Sequence, residues 1–270
     1  MTSKRLLLVA GSLGVVVVAA LVWWVTRPAP AEVDISAALE AATASPTGPA
    51  ATSGSSAATS STDANPTAGP STSADSTAPT SQGAALEAQV WTVSTTAVPY
   101  DFAGPTGTFV GFRVDEELAS VGAATAVART PEVTGTVTLA DTTITQASFS
   151  ANMIALESDR PRRDGAIQGA LHTDVNPMAT FELTSPIELD GVPPIGEAIS
   201  AQATGDLTIN GVTQAVTMPL QAALVAEDEL VVTSSFDVSL SDHEVEPPSA
   251  PAVVSVSGTA TVELQLYLVP

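Results

Sequence analysis

Residues 205–220 read Gly-Asp-Leu-Thr-Ile-Asn-Gly-Val-Thr-Gln-Ala-Val-Thr-Met-Pro-Leu. Leu207 and Ile209 oppose Asp206 and Thr208, and beyond Asn210-Gly211 the residues Val216, Met218 and Leu220 share one face. Alternation with period two puts apolar side chains on one side of a strand and polar ones on the other. An Asn-Gly pair between two alternating runs is the strongest short-range sign of a β-hairpin, because the tight turn needs positive φ at both central residues. The stretch therefore predicts two antiparallel strands with one dry face.

The same pattern spreads to both sides. Val133, Gly135, Val137 and Leu139 face away from Thr134, Thr136 and Thr138, and Ala147, Phe149, Ala151 and Met153 away from Ser148, Ser150 and Asn152. Phe181 with Leu183, then Leu230, Val232, Phe236, Val238 and Leu240, then Val262, Leu264, Leu266 and Leu268 repeat it. Near the start, Trp91 pairs with Val93, and Val110 with Phe112 and Val114. Strands of this kind, about eight or nine here, close into a barrel or pack as a two-sheet sandwich. Helix-like stretches are few: one or two turns within Asp115–Ala128, and Asp164–Leu171. The inner faces hold many small residues, among them Gly135, Ala147, Ala151, Ala179, Ala203 and Gly205. An eight-stranded barrel is just wide enough to be packed solid or to hold one slim ligand; the alternation fits both.

Outside this domain the chain changes character. Residues 1–5 carry Lys4 and Arg5, and residues 6–25 form an apolar run whose clearly polar side chain is Ser12. About 20 such residues match the thickness of a bilayer core. The cations precede the run and only Arg27 follows, so a transmembrane helix with a cytoplasmic N-terminus and an extracytoplasmic remainder is expected. A cleaved signal peptide ending near Ala29-Pro30-Ala31 is the alternative, but the run exceeds the usual h-region. Residues 26–87 read as a disordered linker rich in Ala, Ser, Thr and Pro, with a frayed helix at most over 32–40. Its low-complexity stretch of about 45 residues would span ~35–40 Å as a coil, a stalk for the domain at 88–270.

Charge and composition narrow the function. The 270 residues carry 8 Lys+Arg against 29 Asp+Glu, a formal net charge of −21, which disfavours nucleic acid as a partner. Cys is absent and His numbers 2, so thiolate sites and His-rich metal centres are not expected. Asp242-His243-Glu244 reads as a solvated loop before Pro247-Pro248, because adjacent strand residues point apart. His172 and Asp174 read as surface loop. No nucleophile elbow and no phosphate-cradling glycine loop occurs, so an enzyme is not expected. The basic cluster Arg160, Arg162 and Arg163 reads mainly as pairing with Asp159 and Asp164, with a clamp for a polar headgroup as the functional alternative.

Five segments in order then carry a resemblance: Trp91-Thr92-Val93, Val110-Gly111-Phe112-Arg113-Val114, Ser158–Asp164, Asn176–Phe181 and Gly205–Thr213. Together they resemble the YceI-like family of lipocalin-like, extracytoplasmic proteins, over residues 88–270. The resemblance implies an all-β fold, an antiparallel eight-stranded barrel with one or two short helices, whose pore holds a polyisoprenoid chain. It implies binding and no catalysis, with no cofactor other than such a lipid. By alternation and motif position, Phe112, Val114, Phe149, Met153, Phe181, Leu207, Met218 and Phe236 are expected to point into the cavity. The ligand is then an apolar isoprenoid, such as a polyprenyl carrier or a quinone, and the membrane is met through the N-terminal helix. The rival is a stalked structural or interaction domain with a packed core and no ligand.

Overall fold

The computed structural model describes residues 29–44, 88–251 and 253–270. The expected segments at 1–5 and 6–25 lie outside the described residues, as does most of the expected linker. No described helix is long and apolar enough to cross a membrane.

The strands are β1 (Gln89–Ser94), β2 (Phe109–Leu118), β3 (Gly122–Thr130), β4 (Val133–Ala140), β5 (Thr143–Asn152) and the short β6 (Glu157–Ser158). After them come β7 (Met178–Leu183), the short β8 (Ile187–Glu188), β9 (Ala198–Ile209), β10 (Val212–Ala226), β11 (Glu229–Ser239) and β12 (Val253–Val269). β12 pairs with β2 through Gln265↔Phe109 and then with β1 through Tyr267↔Ser94. β1 and β2 are thus one strand position interrupted by loop 95–108, and β3 and β4 are a second, bent at Pro131. The ring runs β1/β2, β3/β4, β5, β7, β9, β10, β11, β12 and closes on itself. The result is a closed eight-stranded antiparallel barrel, so the sandwich alternative is set aside. The ring is closed, although β10 over Val212–Leu220 pairs only with β9, and β3 over Gly122–Val127 only with β2.

The 205–220 stretch forms the β9–β10 hairpin in the expected register, with Leu207↔Gln214 and Ala203↔Met218 as partners. Asn210 and Gly211 take φ of 53° and 75°. In place of the helical turns expected within Asp115–Ala128, those residues form the β2–β3 hairpin. Alternation outweighs the helix propensity of the Glu and Ala residues there, because β12 supplies a long partner for β2.

Two α-helices are described. α1 (Ile35–Ala44) lies inside the stretch read as linker, and corrects that reading. The Asp34 carboxylate accepts from the Ala37 N–H at 3.0 Å and caps its start. Ile35, Ala38 and Ala42 form its buried stripe, packed on Val98, Ala223, Val231 and Tyr267 on the outer wall of the barrel. α2 (Pro161–Ala170) covers the expected 164–171 segment, with Pro161 in its first turn and Ile167 buried.

Candidate functional site

The interior of the barrel divides along its axis. In one half, Phe181, Ile187, Ala203 and Met218 form a buried cluster against which Phe149, Leu183, Val216 and Phe236 pack. Gly205 has no side chain because the Phe181 ring lies over it: an added Cβ would stand 2.4 Å from Cζ. This half is filled by its own side chains.

The other half holds a cavity of about 1070 Å³. That is at the upper end of the usual ~300–1,000 Å³ for small-molecule pockets. Phe112 and Val114 of β2 line it, with Ala260 and Val262 of β12, Leu207 and Ile209 of β9, and Ala179 of β7. Met153, Leu156, Ile167 and Leu171 close one side, and Leu240, Val245 and the Pro247–Pro251 segment form the other lip. The wall is almost wholly aliphatic. Away from Glu116, the arginines, Ser239 and His243 such a surface offers few orienting hydrogen bonds, and suits an apolar chain better than a polar small molecule.

Of the residues expected to face a ligand, Phe112, Val114, Met153 and Leu207 line this cavity. Phe149, Phe181, Met218 and Phe236 lie inside the barrel as expected, but they belong to the filled half and are not on the cavity wall. The rim carries the three arginines. Arg163 donates from Nη1 to Asp159 Oδ1 at 2.5 Å and from Nη2 to Glu116 Oε1, tying α2 to β2 across the mouth. Arg160 Nε lies 3.6 Å from Asp159 Oδ2. Asp164 instead accepts from the Ser158 N–H at 2.9 Å, holding the turn before α2. Arg162 is exposed and makes no ion pair among the described residues.

His243, expected on a solvated loop, is buried at the mouth, with Nδ1 3.0 Å from the Val212 carbonyl. Asn210 fastens that loop, donating from Nδ2 to the His243 and Glu244 carbonyls at 3.2 Å each. Asn176 Nδ2 in turn donates to the Asn210 carbonyl at 3.2 Å. His172, on an exposed loop as expected, has Nδ1 3.0 Å from Asn210 Oδ1. The Asn-Gly turn thus serves twice, as a hairpin and as the hub of the rim. Among the described residues no three His, Asp or Glu side chains gather to hold a metal ion.

A second buried site lies on the outer face, and sequence reasoning missed it. Glu263 accepts from Arg113 Nε at 2.7 Å and from Arg129 Nη2 at 2.9 Å. Arg129 Nη2 also donates to the Ala31 carbonyl at 2.6 Å, its Nη1 to the Phe102 carbonyl at 2.8 Å, and its guanidinium stacks 4.7 Å from the Phe109 ring centroid. Arg113 Nη2 donates to the Pro30 carbonyl, and the Val33 N–H to Glu263 Oε1 at 3.3 Å. Residues 29–34 are therefore a strap seated on a buried ion triad, and α1 continues it. Tyr267, also outward, donates its hydroxyl to the Ala38 carbonyl at 2.7 Å, and burial pushes its pKa up. Burial likewise pushes the pKa of Tyr100, in loop 95–108, up to about 12. The available signal was the pair Arg113 and Arg129 on faces that alternation assigns to solvent, in a domain otherwise poor in cations.

Comparison with known proteins bears on the barrel. The model of the YceI-like domain matches residues 103–268. No curated protein matches the chain. Among solved structures, a polyisoprenoid binding domain from Saccharophagus degradans, implicated in plant cell wall breakdown, aligns with a TM-score of 0.52 at 14% identity. The alignment covers 67% of this chain and 98% of that one, and it speaks to the fold alone. BcnA of Burkholderia cenocepacia aligns with a TM-score of 0.46 at 16% identity, over 59% of this chain and 94% of that one. The YCEI protein of Campylobacter jejuni aligns with a TM-score of 0.43 at 13% identity, over 52% and 82%. With the family model matched over more than half of its length and across the barrel just described, the chain belongs to the YceI-like domain family.

Proposed function

We propose that the barrel is a lipid-binding module that holds an apolar isoprenoid chain in its open half, and that residues 6–25 tether it to the outer side of a cytoplasmic membrane. The observation that carries this reading is the cavity of about 1070 Å³ with an aliphatic wall, open at the end capped by α2. An isoprenoid has few polar atoms, so its affinity comes from burial, at about 0.8 kcal/mol per methylene-sized unit. Family membership and the likeness to a polyisoprenoid binding domain support the ligand class. The apolar run with Lys4 and Arg5 before it supports the tether and its direction.

The protein acts by binding and not by catalysis. Arg163 is committed to two carboxylates, so any polar headgroup at the rim is met first by Arg162. The rival reading, a packed core with no ligand, fits the half filled by Phe149, Phe181, Met218 and Phe236 and leaves the other half without a use. Solvent extraction of the purified full chain, followed by mass spectrometry, tests the proposal. A long-chain isoprenoid near one per protein is expected; a stable protein that is repeatedly empty favours the rival.

A further inference from the structure

The strap, the exposed side chains and the sequence upstream of Ala29 point to one orientation. We propose that the mouth of the barrel rests directly against the lipid bilayer, with the cavity opening into it. This rests on the reading of residues 6–25 as a membrane anchor and adds to it a docking face.

The first argument is the course of the strap. Along β12, the mouth lies toward Val253 and the filled end toward Val269. α1 packs on Ala223, Val231 and Tyr267, which are cross-strand neighbours near the filled end. Going backward along the chain, Val33 lies at Glu263, and Pro30 at Arg113, the partner of Thr261. The strap therefore climbs toward the mouth as it approaches the N-terminus. Five Cα-to-Cα steps separate Pro30 from Val25, the end of the apolar run. They reach at most ~17 Å. From Arg113 to Leu118, at the mouth, β2 runs five residues, or ~13 Å along the axis for a strand tilted by ~40°. The anchor and the mouth are within reach of one another.

Residues 45–87 do not loosen this arrangement. Ala44 and Ala88, which flank them, both belong to the described unit. The low-complexity segment joins two points of that unit, so its length does not set the distance from the membrane.

The second argument is the surface of the mouth. Val121, Ile154, Val175, Met178 and Val254 are exposed there, Val175 at 73% and Val254 at 62%. Exposed aliphatics around one opening mark an interaction site more than scattered ones do. At the filled end Val192 and Ile195 are exposed on one loop, and Val90 on β1. Exposed carboxylates stand at both ends, among them Glu117, Asp174, Asp242, Glu244 and Glu246 at the mouth and Asp141, Glu188, Asp190 and Asp228 opposite. The exposed guanidinium, Arg162, stands only at the mouth among the described residues. With acids beside it the face is not basic overall, so contact is driven by the aliphatic rim and depends little on salt.

The absence of Cys allows single reporter sites in the full chain. Val254→Cys and Ile154→Cys report on the mouth, and Val192→Cys and Ile195→Cys on the filled end. Each variant, labelled with a fluorophore, is reconstituted into phosphatidylcholine vesicles with and without nitroxide-bearing lipid, and vesicle flotation is measured in parallel. The proposal predicts at least two-fold quenching at both mouth sites and none at the filled end, unchanged by added salt. A chain that floats with its mouth labels unquenched, or with both ends quenched alike, overturns the orientation and leaves the anchor standing. Mouth labels shielded from water but insensitive to nitroxide lipid overturn it in favour of a second copy of the chain. A chain that does not float overturns the anchor and the orientation together.

Discussion

Arg129 reaches Glu263 across Gly111, bringing Nη2 within 2.9 Å of Oε2 on the outer wall of the barrel. The three residues lie in one row of neighbouring strands, and the glycine between them leaves the groove through which the arginine passes. Glu263 also holds Arg113, and both guanidinium groups hold backbone carbonyls of the strap. The strap is thus fixed through its main chain, at positions where its own side chains hardly matter.

Removing the carboxylate leaves two buried guanidinium groups without their shared partner. Breaking a buried ion pair in this way typically costs about 3–5 kcal/mol. Glu263→Ala is expected to lower the unfolding free energy by about that much, read by urea denaturation. Proteolysis within 29–44 should accelerate in parallel, since the strap loses its seat.

A methyl group at Gly111 would stand 2.2 Å from the Ala128 carbonyl oxygen and 2.7 Å from Arg129 Cγ. Both must move. Gly111→Ala is expected to destabilise by about 1–3 kcal/mol, the usual range for overpacking, measured as a shift in the denaturation midpoint. Gly122→Ala makes a poor control because its φ is +86°. Gly165→Ala, where nothing lies within 4 Å, is the suitable one and should be neutral or slightly stabilising.

Tyr267→Phe removes the hydroxyl that donates to the Ala38 carbonyl and changes little else. A loss of about 1 kcal/mol is expected. Hydrogen exchange should rise over α1 and stay unchanged in β9 and β10.

Glu229 carries a buried Oε1 with no hydrogen-bond partner among the described residues. Burial, helped by the Asp228 charge, pushes its pKa up. The folded state therefore holds this proton more tightly than the unfolded state, and stability is lost as pH rises through the folded pKa. Glu229→Gln is expected to raise the melting temperature at neutral pH. The gain should vanish below the ordinary carboxylate range, where both states are protonated. Thermal melts on either side of that range check this.

Much of the barrel was legible because period two survives in short windows. Asn210-Gly211 located the central hairpin, and the alternation of Val262, Leu264, Leu266 and Leu268 located the long closing strand. Alternation reports which face a side chain takes, but not its height along the barrel axis. Phe112 and Phe181 thus looked equivalent, although one lines the cavity and the other plugs the far half. The triad was hidden because its members lie up to 150 positions apart. Glu263, Gln265 and Tyr267 read as a solvent face until the strap and loop 95–108 covered them. α1 was missed because its buried stripe is mostly alanine, a weak amphipathic signal beside a low-complexity segment.

The most direct test compares isoprenoid occupancy in two interior variants of the full chain. Ala179→Trp places a large ring in the open half, and Met218→Leu keeps volume in the filled half. With both variants folded by circular dichroism, the lipid extracted per protein is measured against the unaltered chain. The account predicts that Ala179→Trp loses the lipid while Met218→Leu retains about one per barrel. A chain that keeps its lipid with Ala179→Trp in place, or carries none to begin with, contradicts it.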